Sequence, residues 1–134
     1  MALDGRITVD VLFHDTYGTA SLKVVSLEDS TEYTSGKVAI VTGTVGTSAV
    51  TVYSGGTTSP AYRDASGSIV SFSDISRVAL LGTPAVQVSE PGANRVSAKS
   101  SGELAVVSCF DSPSTIDVIS DSGTSSYTLV IYGT

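Results

Sequence analysis

The sequence predicts an all-β fold, an antiparallel β-sandwich or a barrel of the jelly-roll type, built as a single domain over residues 1–134. Three observations carry that expectation. Apolar and polar residues alternate with the period of two that half-buries a strand. Turn residues recur at roughly every 8 to 12 positions, the spacing of short strands in a sandwich. The chain is rich in Ser, Thr and Gly, which are poor helix formers, and in Val, Ile and Tyr, which fit a pleated surface. No long helical pattern separates the strands, which disfavours a parallel α/β sheet.

Taken in order, residues 6–13 give the cleanest alternation, with Ile7, Val9, Val11 and Phe13 set against Arg6, Thr8, Asp10 and Leu12. Residues 14–18 read as a polar turn, and residues 20–27 return as the second strand of an N-terminal hairpin. The densest strand signals lie in residues 21–52, which read as three strands of an antiparallel meander. Leu22, Val24 and Leu27 lie in the first, residues 38–41 form the second, and Ala49, Val50 and Val52 fall in the third. Glu28, Asp29, Glu32 and Gly36 punctuate the passage from the first to the second. Four consecutive apolar residues at 38–41 predict a strand covered on both faces. Gly43 and Gly46 bracket the next turn, and SGGTTSP at 54–60 is a loop whose Pro60 does not suit a central strand.

Residues 62–67 read as a short extended segment closing on a turn. Val70 and Phe72 alternate with Ser71 and Ser73 in a following strand. Residues 77–81 are read as a strand, although Phe72, Ile75 and Ala79 also fit helical spacing. Val86 and Val88 flank Gln87 in a further strand, and EPGAN at 90–94 makes a turn. Residues 96–99, 104–110, 116–119 and 127–132 complete the series. A faint echo between VAIVTGT at 38–44 and TLVIYGT at 128–134 reflects shared strand-end composition rather than duplication.

Charge narrows the partners. The 13 acidic and 7 basic residues give a net charge of -6, and the basic residues are scattered singly. Nucleic acid is not expected, because phosphate binding needs clustered Lys and Arg. No apolar run reaches the roughly 20 residues of a membrane helix, and the N-terminus lacks a signal-peptide pattern, so synthesis in the cytoplasm is expected. Cys109 is the only cysteine, in an apolar setting that reads as a small buried hydrophobe, so no internal disulfide holds the fold.

Reactive side chains are scarce: there is one His, one Cys and no Trp. KVAIVTG at 37–43 looks like the opening strand and turn of short-chain dehydrogenases, but Thr47 and Ala49 stand where that family needs glycines, and no helical pattern follows. Tyr33 and Lys37 match the family's catalytic spacing yet precede the supposed cofactor turn. Ser35, Gly36 and Lys37 do not make a phosphate loop, since the upstream glycine is missing and Val38 replaces the hydroxyl residue. His14, the only base for a Ser-His-Asp arrangement, has Asp15 as its neighbour, and adjacent strand residues point to opposite faces. Nitrogen or sulfur metal sites are nearly excluded. Glu28, Asp29 and Glu32, and more loosely Asp111, Asp117 and Asp121, are carboxylate groups that calcium would require, but no calcium motif accompanies them. No catalytic residue, cofactor or metal site is expected, and the chain is not expected to be an enzyme. Absence of Trp weakens a sugar-binding reading, for which the loops 54–60 and 90–94 are the candidates.

The start MALDGRITVDVLF, the acidic Ser/Thr/Gly-rich β composition and the strand YTLVIYGT at 127–134 resemble small β-rich virion proteins of tailed bacteriophages, particularly head decoration or cement proteins. The resemblance implies a virion location and a symmetric homo-oligomer, often a trimer, that binds capsid subunits and stabilises the particle. Tail or fibre components and carbohydrate-binding adhesion modules are the alternative. Strand edges supply a mechanism: Ile7, Val9, Val11 and Phe13, or Tyr127, Leu129, Ile131 and Tyr132, are expected to pair with a neighbouring subunit. Removing residues 127–134 is then expected to abolish assembly and leave a soluble fragment.

Overall fold

A computed structural model describes the backbone of residues 3–17, 20–89, 95–99, 104–109 and 111–134, and the side chains of residues 36–89, 104–109 and 111–134. The fold is all-β, with two antiparallel sheets packed as a sandwich and no helix among the described residues. The strands are β1 (Leu3–Tyr17), β2 (Ala20–Val45), β3 (Val50–Ser54), β4 (Thr57–Thr58), β5 (Ile75–Gly82), β6 (Ala85–Ser89), β7 (Arg95–Lys99), β8 (Leu104–Ser108), β9 (Thr115–Ile119) and β10 (Ser125–Gly133). Strand order is β1-β2-β10-β5-β8 in one sheet and β4-β3-β9-β6-β7 in the other.

The chain divides into two compact units, Met1–Gly36 and Lys37–Thr134. The first is a two-stranded ribbon. In it β1 pairs antiparallel with β2 from Leu3 opposite Gly36 to Tyr17 opposite Ala20, with irregularities at Leu3/Gly5 and Phe13/His14. Two sequence expectations change here. The turn expected at residues 14–18 is strand as far as Tyr17, because His14, Asp15, Thr16 and Tyr17 pair with Lys23, Leu22, Ser21 and Ala20. The break expected around residues 28–36 is absent, because pairing with β1 satisfies the main chain there whatever the polarity of the side chains. Residues 22–27 and 38–41 therefore belong to one strand of 26 residues, and the expected meander does not form.

The second unit is the sandwich. Its first sheet takes residues 37–45 of β2, which pair with β10, which pairs with β5, which pairs with β8. Register sets inner rows across it: Val41, Leu129, Leu80 and Ala105 in one, Ala39, Ile131, Val78 and Val107 in the next. All eight are buried, and they pack against Val52, Val86, Val88, Ile116 and Val118 of the other sheet. Tyr127 continues the inner face between Gly43 and Gly82, its register partners on either side. A Cβ at Gly43 would lie 3.2 Å from the Tyr127 hydroxyl, so the glycine leaves room for the ring.

The expected loop at 54–60 contains a tight hairpin. Tyr53 pairs with Thr58 and Ser54 with Thr57, leaving Gly55 and Gly56 at φ 62° and 93° as the two turn residues. Both positive angles suit the turn type that matches strand twist. Val70 and Phe72 are buried without joining a ladder: Val70 N donates to Tyr62 O at 2.9 Å and Phe72 N to Gly56 O at 2.8 Å. Phe72 meets Tyr53 edge-on, ring centroids 6.3 Å apart. Residues 77–81, 86–88, 116–119 and 127–132 fall in strands as read. The expected turn at 90–94 and Phe110 lie outside the described residues.

Candidate functional site

Four strands of the first sheet carry unbroken apolar runs: residues 38–41 of β2, 78–81 of β5, 104–107 of β8 and 129–132 of β10. Alternation sends every second residue of such a run away from the core. Runs of this kind belong to sheets buried on both faces. Here the inner residues are buried, while the outward ones are half-buried or exposed.

Register aligns the outward residues in rows. Ile40 stands beside Val130, Val130 beside Ala79, and Ala79 beside Val106, giving an apolar row across the sheet. On one side of it lie Thr42, Thr128, Leu81 and Leu104, and on the other Val38, Tyr132, Arg77 and Ser108. Leu104 is 58% exposed, Leu81 50% and Ile40 44%, while the Val and Ala residues between them are half-buried by their neighbours. Five large hydrophobic residues are exposed among the described residues, and these three share this face.

The second sheet is built differently. Its outward row holds Thr51, Asp117 and Gln87, and the next Ser54, Thr115 and Ser89. Thr51 Oγ1 donates to Asp117 Oδ1 at 2.7 Å. A third outward row pairs Ala85 with Ile119, so this face is the more polar of the two without being wholly so.

Charge follows the same division. No Asp or Glu lies in residues 37–45, 75–82, 104–108 or 125–133, so these segments of the apolar face carry only Lys37 and Arg77 as Lys, Arg, Asp or Glu residues. The Arg77 guanidinium donates to Ser108 Oγ on the adjacent strand. Lys37 Nζ donates to Ser71 O at 2.8 Å. Carboxylates sit elsewhere. Asp64 organises its own turn, accepting from Ser66 N at 2.9 Å, Ser66 Oγ at 2.6 Å and Ser68 N at 3.0 Å, and these bonds hold its carboxyl below the ordinary range.

The residues singled out from the sequence fall in different places. Tyr127 is buried and Leu129 and Ile131 lie fully in the core, while Tyr132 stands half-buried on the outer face. β10 is not an edge: β2 occupies one side of it and β5 the other, so its main chain is not open to a neighbour. Ile7, Val9, Val11 and Phe13 lie on β1, at the end of the strand order, opposite Thr31, Asp29, Leu27 and Val25 of β2. Their side chains, with those of His14, Glu28, Asp29 and Glu32, lie outside the described residues. Asp111, Asp117 and Asp121 form no metal-binding group, and none occurs among the described residues. Cys109 is half-buried against the core, its N–H bonded to Ser76 O at 2.9 Å. No described helix is long and apolar enough to cross a membrane.

Sequence reasoning flagged residues 38–41 but missed Leu81, Leu104, Ala79 and Val106. The signal was present in the other apolar runs; what joins them is strand order, which periodicity does not carry. Comparison with protein-family models, with curated proteins and with solved structures finds no match.

Proposed function

We propose that the chain is a structural subunit of a virion, a decoration or cement protein that associates with copies of itself and with capsid subunits and stabilises the particle. The observation that supports this reading is the apolar outer face centred on Ile40, Val130, Ala79 and Val106. A contiguous exposed apolar patch rimmed by polar residues marks a protein-binding surface. It is ill suited to nucleic acid, for want of clustered cations. A second means of attachment is strand addition at β1, a reading supported by its position at the end of the strand order, since an end strand can pair with one from a capsid subunit.

Co-sedimentation of the full chain with particles built from the capsid protein of the same genome tests the proposal. Saturable binding at a fixed ratio, with a rise in the temperature at which the shell disassembles, is the expected result. Binding to purified tails in place of shells would move the chain to the tail, and failure to bind either would overturn the reading.

A further inference from the structure

We propose that the outer face of the β2-β10-β5-β8 sheet is closed by the same face of a second copy, stacked sheet on sheet about a two-fold axis that runs along the strands between β10 and β5. The inference rests on reading the chain as an assembling subunit and names the surface through which copies meet.

Charge is the first argument. A chain with a net charge of -6 repels its own copies, and only a face free of carboxylates lets them approach closely. The segments that form this face, residues 37–45, 75–82, 104–108 and 125–133, hold no Asp or Glu. The distribution of bulk is the second. In one row the large residues Leu81 and Leu104 occupy β5 and β8, while the smaller Thr42 and Thr128 occupy β2 and β10. The proposed rotation exchanges β8 with β2 and β5 with β10. It therefore sets Leu104 over Thr42 and Leu81 over Thr128. In the central row it sets Ile40 over Val106 and Val130 over Ala79. In the third row it sets Val38 over Ser108 and Arg77 over Tyr132.

Bulk meets hollow at most of these positions, and the guanidinium lies against an aromatic ring rather than against its own symmetry mate. A two-fold axis across the strands would instead stack Leu81 on Arg77. The asymmetry of the rows thus selects one arrangement of a self-complementary contact.

Extent sets the strength. Four strands about 4.8 Å apart and three outward rows span roughly 350 Å² on each copy, against about 800 Å² per partner in a standard stable interface. The pair is a weak dimer, formed as concentration rises.

Sedimentation of the purified full chain, with no shell present, tests this. The expected result is monomer at about 1 μM and mostly dimer towards about 1 mM, the range of weak, small-area contacts. Leu104→Glu, at an exposed position, should weaken dimerisation at least tenfold while the thermal melt shows the fold intact. Gln87→Glu, on the polar sheet, should leave it unchanged. In a Cys109→Ser background, the double variant Thr42→Cys/Leu104→Cys should cross-link between copies on oxidation, since β2 and β8 are separated within one chain by β10 and β5. Either single variant alone should cross-link poorly, because the rotation never brings a position over itself. Monomer at every concentration, a trimer with no dimer, or a double variant that cross-links no faster than the singles would each overturn the proposal. Shell binding by a chain that does not dimerise would sink this inference alone; dimerisation by a chain that binds no particle would sink only the proposed function.

Discussion

Gly133 lies where β10 passes Asp74, and a Cβ there would collide with the Asp74 carbonyl oxygen. The same corner is held by Thr134, whose N–H donates to Asp74 O at 2.8 Å and whose main-chain oxygen accepts from Ser73 N at 2.7 Å. Gly133→Ala is therefore expected to destabilise the fold by roughly 1–3 kcal/mol, the range for forcing an atom into a packed site, read as a lower urea midpoint. Gly46→Ala, where nothing lies within 4 Å of the added atom, is the matched control and should change little. Tyr53 and Tyr127 give a second prediction. Burial pushes both phenols above their ordinary value, with the Gly56 main chain partly offsetting the shift at Tyr53. Their contribution is complete below a pH of about 10, where the unfolded chain also keeps its phenols neutral. It is lost as pH rises, because the unfolded chain ionises first. Denaturation midpoints should hold level up to about pH 9 and then fall, and Tyr53→Phe/Tyr127→Phe should flatten the fall.

Among the elements, β10 changes most between sequence and structure. Its alternation was legible and placed a strand at residues 127–132 correctly, but periodicity does not say which strands lie on either side. With Leu129 and Ile131 in the core and both sides paired, removing residues 127–134 should unfold the sandwich, seen as loss of the strand signal in circular dichroism, rather than yield the soluble fragment expected from an edge strand. Leu129→Ala alone should cost about 2–5 kcal/mol, as for other large-to-small changes in packed cores. β2 was misread for a related reason. Glu28, Asp29, Ser30, Thr31 and Glu32 look like a loop in sequence, yet each has a partner on β1, and a paired ribbon tolerates polar residues that a core strand would not. Nothing local marks the border at Gly36, because one strand runs through it and only its partner changes.

For the molecule as a whole, the division between a polar and an apolar sheet was half legible. The run at 38–41 predicts a strand covered on both faces, and in the sandwich Ala39 and Val41 are buried while Ile40 is exposed. That Leu81 and Leu104 join Ile40 on the outer face depends on the pairing of β2 with β10, β10 with β5 and β5 with β8, and is invisible in the linear order. The balance of forces on that face yields a further expectation. Its attraction is hydrophobic, while the opposition comes from the net charge of -6. Salt screens the opposition and leaves the attraction, so self-association should strengthen severalfold between 20 mM and 500 mM NaCl, about the range over which the Debye length falls from ~20 Å to ~4 Å. Weakening with salt would point to ion pairs as the driving contact.

The position of β10 also bears on how the protein is made. The strand that lies between β2 and β5 follows both in sequence, so these two must wait beside an empty lane until residues 125–133 leave the ribosome. Partners so distant in sequence close slowly, and the waiting edges are exposed to other nascent chains. Truncated products of translation should therefore be the aggregating species, and a stalled ribosome the place to find them.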